Sequence, residues 1–285
     1  MIKLKAVDLI HNFKDSKLKK KSKNTVDAYI SDLNQFFLFL NKDFDFVTNE
    51  DIEYYKSYLL GRCMMPKTIN RKLVSIRQFI EYLNVSKEYN RKICIEIEQL
   101  KIQKQEYLED LLNISDFERL VRLAEREEDY RAVAIFYTLY LTGLRVSELI
   151  TLKVSDKDKK TITVKGKGDK YRDIFVPDRL VDYLNQYIKV RKHKPTDYLF
   201  LNTEKNTPMS RQSVHNEIKK YAGLSKVKLT KAHAHNFRHL YCLRLVEEGL
   251  SIDEIANLAG HTNINTTRIY TRKTKQDLVN VIKKL

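Results

Sequence analysis

The stretch "TITVKGKGDKYRDIFV", residues 161–176, is where the chain departs from helical patterning. Ile162 and Val164 alternate with polar residues, as do Ile174 and Val176, and the two runs flank a turn rich in Gly, Lys and Asp. Period-two alternation on both sides of such a turn predicts a β-hairpin. Gly166 and Gly168 leave the Lys167 ammonium unobstructed at the tip. It can act there as a proton donor carried into a groove, or be an ordinary solvated turn residue.

On either side of the hairpin the apolar period is helical, so the expected fold class is mainly α with a small β-sheet or hairpin in the C-terminal domain. Upstream, Asn24-Thr25 offers a cap for "VDAYISDLNQFFLFL", whose Tyr29, Leu33, Phe36, Phe37 and Leu40 share a face. "TNEDIEYYKSYLL" opens with an acidic first turn and ends at Gly61, and "PKTINRKLVSIRQFIEYL" carries an apolar stripe from Ile69 to Leu83. In "RKICIEIEQLKIQKQEYLEDLL", residues 91–112, charge density rises and the preceding helices have closed a bundle. The boundary is therefore set near residue 105, giving domains 1–105 and 106–285. "NISDFERLVRLAE" then starts the second domain with a Ser/Asp cap, and the pattern from Asp178 onward is helical again.

The formal net charge of +16 on 285 residues favours a polyanionic partner. No apolar run is long enough to cross a bilayer and the lysine-rich start is unlike a secretory signal, so a cytoplasmic protein is expected, with no membrane partner. Cys63, Cys94 and Cys242 are widely spaced and lack pairs, so they are expected to be free thiols in or near cores. The basic side chains along Lys14–Lys23 either grip a duplex or form a solvated tail.

Four stretches hold groups suited to phosphodiester chemistry, which needs a nucleophile, fixed cationic donors and an acid for the leaving oxygen. In "LTGLRVSELITL", Gly143 stops one helix and Arg145 falls in the opening turn of the next, beside free backbone N–H groups. In "AHAHNFRHL", His235 and Arg238 are three apart and share a helix face. His233 and His239 are bystanders there, and no carboxylate or Cys at ligand spacing makes these histidines a metal site. Lys167 is the third. The fourth is "SIDEIANLAGH", a short helix closed by Gly260, followed by "NINTTRIYTR" with Tyr270. Each fragment by itself is also what a solvated surface or a core would carry.

Together they occur in an order that resembles the tyrosine recombinase (phage integrase) family: Thr-Gly-Leu-Arg-x-Ser-Glu-Leu at 142–149, Gly-Lys-Gly at 166–168, His-x-x-Arg-His at 235–239, and Leu-x-Gly-His…Thr-Thr-x-Ile-Tyr-Thr at 258–271. The resemblance covers the second domain. The first is similar to the family's helical, SAM-like core-binding domain in pattern and position, and the chain looks closest to the compact, Xer-like members. What this implies is a site-specific recombinase that binds double-stranded DNA, assembles as a tetramer on it and needs no metal, cofactor or ATP. Arg145 and Arg238 would clamp the scissile phosphate, Lys167 would protonate the leaving oxygen, His235 would assist proton transfer and His261 would donate to a phosphate oxygen. Tyr270 would be the nucleophile, forming a 3′-phosphotyrosine on the way to a Holliday junction. Two other classes share parts of the pattern. A type IB topoisomerase uses similar chemistry without synapsis, and a catalytically idle DNA-binding protein would need neither the arginine boxes nor the tyrosine.

Overall fold

The computed structural model describes residues 4–42, 46–86, 92–102, 111–166, 171–191, 196–202, 207–261 and 263–271. Lys167 and the C-terminal stretch 274–285 lie outside them. The chain divides into two compact units, Met1–Lys104 and Gln105–Leu285.

The first unit is built from α1 (Leu4–Leu18), α2 (Lys23–Leu40), α3 (Asn49–Gly61) and α4 (Pro66–Val85). Its core is aromatic, with Phe13, Phe36, Phe79, Leu33, Ile52 and Ile76 fully buried, and Phe13 meets Phe79 edge-on at 5.4 Å between ring centres. Two expectations change here. Lys14 to Leu18 belong to a packed helix and not to a tail, because Leu9, Ile10 and Phe13 one turn earlier are buried and anchor it. The cap of α2 is Ser22, whose hydroxyl accepts from the Thr25 amide, and not Asn24-Thr25.

In the charge-rich stretch after α4, residues 92–102 form neither helix nor strand and are tied back to the bundle by side chains. Asn84 exchanges two hydrogen bonds with the Ile93 backbone and Asn70 exchanges two with that of Leu100, so two side-chain amides stand in for a neighbouring strand. Between them Ile97 reaches the core. This arrangement leaves Cys94 exposed. Cys63 is exposed too, in the turn before α4, so the expectation of core thiols holds for Cys242 alone.

The second unit contains α5 (Ile114–Arg126), α6 (Tyr130–Thr142), α7 (Val146–Leu149), β1 (Thr161–Lys165), β2 (Tyr171–Phe175), α8 (Asp178–Val190), α9 (Arg211–Leu224), α10 (Ala234–Glu247), α11 (Ile252–Ala259) and α12 (Asn265–Arg268), with a 3₁₀ turn at Ile269–Thr271. From Ala132 to Tyr140 every residue of α6 is buried, which makes it the central helix, and α5, α8, α9 and α10 all pack on it. The cap of α5 is Asn113 and not a Ser/Asp pair; Asp116 closes the box from the third helical position. β1 and β2 pair antiparallel as the hairpin predicted, with Ile162 opposite Ile174 on the buried face. Among the described residues no helix is long and apolar enough to cross a membrane.

Candidate active site

Gly143 closes α6 in the left-handed region, φ 60°, and a Cβ there would run into the Tyr241 ring, so the chain can turn only at a glycine. The turn delivers Arg145, which sits at the cap position of the four-residue α7 and not within its first turn as expected. The Arg145 backbone N–H is taken by Glu148 Oε2 at 2.8 Å, so this amide is not free for an anion. Its guanidinium donates to Glu148 Oε1 at 3.0 Å and to the Gly260 carbonyl at 2.8 Å. Glu148 is buried and also receives both Nη groups of Arg172, from β2, at 2.7 and 2.8 Å. Burial opposes ionisation of this carboxylate, but the bonds from Arg172 and Arg145 outweigh it and hold Glu148 below the usual range.

The first turns of α10 supply Arg238, His235 and His239. Arg238 is 1 % exposed and spans two turns of backbone, donating to the Gly143 carbonyl at 2.7 Å and to that of Ala259. Burial and then the charges of Arg145 and Arg172 lower its pKa to about 10, so it stays cationic at neutral pH. Three guanidiniums thus gather round one carboxylate, an excess of positive charge suited to a phosphate. His235 is exposed, yet partial desolvation followed by the charge of Arg238 pushes its pKa down, which favours the neutral imidazole that can accept a proton. His239 lies edge-on to His235 at 4.5 Å between ring centres and is pushed down to about 4, chiefly by burial.

Gly260, φ 63°, ends α11 and turns the chain to His261. His261 Nδ1 is 2.9 Å from the buried Thr267 hydroxyl, which fixes the ring, and burial with the nearby arginines lowers its pKa to about 4. Tyr270, in the 3₁₀ turn, is 3 % exposed in a cluster with Cys242, Ile255 and Ala259. Its ring centre is 5.2 Å from that of His239 and 6.2 Å from that of His261. Burial and the Cys242 sulfur raise the phenol's pKa far above its ordinary value, and its oxygen has no hydrogen-bond partner among the described residues.

The structure therefore brings Arg145, His235, Arg238, His261 and Tyr270 into one neighbourhood from three separated stretches of chain. Tyr270 is packed as a core residue would be. Three participants escaped the sequence. Glu148 had a signal, since an acid three residues after Arg145 has capping spacing. Arg172 had another, because it falls on the same face as the buried Ile174. His239, set aside as a bystander, stands between His235 and Tyr270.

Residues 111–277 match the phage integrase family model, and residues 9–91 match its N-terminal SAM-like domain. A tyrosine recombinase of Pseudothermotoga lettingae is 31% identical over 97% of this chain and 98% of its own. The tyrosine recombinase XerD of Rickettsia bellii is 32% identical over 88% of each chain. Among solved structures, the site-specific recombinase XerH bound to a palindromic difH substrate, a post-cleavage complex, superposes with a TM-score of 0.75 at 21% identity, over 90% of this chain and 78% of that one. The chain belongs to the phage integrase family and is a tyrosine-type site-specific recombinase.

Proposed function

We propose that the chain recombines double-stranded DNA through Tyr270, with the unit 1–104 gripping the duplex and the unit 105–285 carrying the chemistry. The Tyr270 oxygen attacks the scissile phosphorus while its proton passes to neutral His235. The P–O5′ bond breaks, Lys167 protonates the departing 5′-oxygen, and a 3′-phosphotyrosine remains. Arg145 and Arg238 offset the charge that builds on the phosphate oxygens, and His261, held by Thr267 through Nδ1, donates from Nε2. Because the new ester conserves the phosphodiester's free energy, a 5′-hydroxyl from a second duplex reverses the step without ATP or metal. Two rounds of exchange in a tetramer on two sites pass through a Holliday junction. The substrate places the protein on DNA in the cytoplasm.

The observation that carries this proposal is the convergence of two arginines, two neutral histidines and a tyrosine round the Gly143 and Gly260 turns. A buried phenol of raised pKa is a poor nucleophile, so the tyrosine must leave its packing and meet the phosphate and His235 together to react. The test is a nicked suicide duplex carrying the recombination site. Tyr270→Phe is expected to bind it with little loss and to form no covalent protein–DNA adduct on a denaturing gel. Adduct at the wild-type level would remove Tyr270 from this role.

A further inference from the structure

Arg172 occupies an inward position on β2, opposite Val164 and two residues before the buried Ile174. Its side chain is 10 % exposed, so the charge has to be partnered within the protein. The partner is Glu148, gripped by both Nη groups at 2.7 and 2.8 Å in the parallel two-bond geometry that only a guanidinium provides. The same Glu148 oxygens receive the Arg145 guanidinium and backbone N–H. On its other side the stem of Arg172 lies under the Gly260 turn, where an added Cβ would come within 2.6 Å of the Arg172 Cδ. Arg172 thus touches the anchor of one proposed phosphate ligand and the turn that precedes another.

We propose that Arg172 is a positioning residue for recombination: by holding Glu148 and supporting Gly260, it sets where Arg145 and His261 stand relative to the scissile phosphate. This rests on the roles proposed above for Arg145 and His261. Arg172 acts through Glu148, whose carboxylate takes both of its terminal nitrogens. The charged and titratable groups facing Glu148 are Arg145 from its own turn, Arg172 from β2 and Arg238 from α10, with His235 and His261 further round the site. Without Arg172, a buried carboxylate keeps Arg145 as its remaining direct ion-pair partner. Its pKa must then rise, since burial favours the neutral acid and less positive charge opposes it. Protonation at lower pH releases the Arg145 guanidinium from its anchor.

The measurement is single-turnover adduct formation on the suicide duplex from pH 5.5 to 8, with DNA binding and thermal unfolding recorded for each variant. Arg172→Met keeps most of the stem's volume and loses the charge. It should bind DNA as the wild type does, form adduct about 10²-fold more slowly, as expected for a misplaced catalytic group, and gain a steep rise in rate with pH. Adding Glu148→Gln should abolish that rise. Arg172→Lys, which keeps the cation without the two-bond fork, should lose about tenfold with the wild-type pH profile; it serves in place of Arg172→Met if the latter does not fold. Arg172→Met within twofold of wild type, a loss that follows the wild-type pH profile, or full activity in Arg172→Lys would each overturn the proposal. Wild-type protein that forms no adduct, or Tyr270→Phe that forms it normally, would instead strike at the tyrosine mechanism.

Discussion

A phenol packed with Cys242, Ile255 and Ala259 can serve as a nucleophile only after it leaves that cluster, so the residue that would cut DNA is held back by ordinary apolar packing. The histidines beside it pose the opposite problem. His239 is 9 % exposed, and burial lowers its pKa from 6.5 to about 4. Between those values the unfolded chain binds a proton that the folded one does not, so stability is lost as pH falls through this range. The contribution of His239 to the fall between pH 7 and pH 4.5 should be about 2 kcal/mol, at about 1.4 kcal/mol per pKa unit. His239→Phe should therefore lose less stability than wild type over that interval in urea titrations. Parallel losses would mean that His239 takes up its proton without unfolding.

At the scale of elements, the first unit depends on one buried carboxylate. Asp32 on α2 is 1 % exposed and accepts from Arg71, Lys72 and Ser75, all on α4, so it fixes the register of these two helices. Lys72 is itself 3 % exposed. Asp32→Asn would leave that ammonium buried against a neutral amide. Breaking a buried pair from one side costs about 3–5 kcal/mol. A drop of this size in the unfolding free energy of the full chain is expected by guanidinium titration, and one below about 1 kcal/mol would show that α2 and α4 are held by apolar packing alone.

For the whole molecule, the net charge of +16 and the proposed clamp on a duplex make affinity a function of salt. Each phosphate neutralised releases condensed counterions and contributes about −0.9 to the slope of log K against log salt. Titrations by fluorescence anisotropy from 50 to 300 mM salt should give a steep negative slope; a slope near zero would contradict the clamp. Assembly is a separate matter. In "TKQDLVNVIKKL", residues 274–285, Leu278, Val281, Ile282 and Leu285 recur at helical spacing, a stripe too short to be stable unless it is buried against something. We expect that partner to be a neighbouring protomer on DNA. Removing 274–285 should then spare binding to one site and abolish recombination between two. Full Holliday-junction product from the truncated chain would place the coupling elsewhere.

Local spacing was enough to identify α2, α3 and α4, the helical patterning of the second unit and the hairpin at 161–176, because periodicity and turn chemistry are properties of neighbouring residues, while the boxes that hold Arg145, His235, Arg238, His261 and Tyr270 were legible only through their joint resemblance to a family. Caps were harder, and Ser22 and Asn113 displaced the expected ones, since which of several adjacent side chains accepts the first free amide depends on where the chain enters the helix. The α1 helix was hidden by its lysines, which say nothing about whether Phe13 has a core to enter. Only the tertiary fold decided that Arg172 would meet Glu148 from 24 positions away and that Arg238 would spend its donors on the Gly143 and Ala259 carbonyls. It alone put Tyr270 into an apolar cluster. Those outcomes depend on which desolvated groups end up facing one another, and pairings between distant segments leave no mark in local spacing.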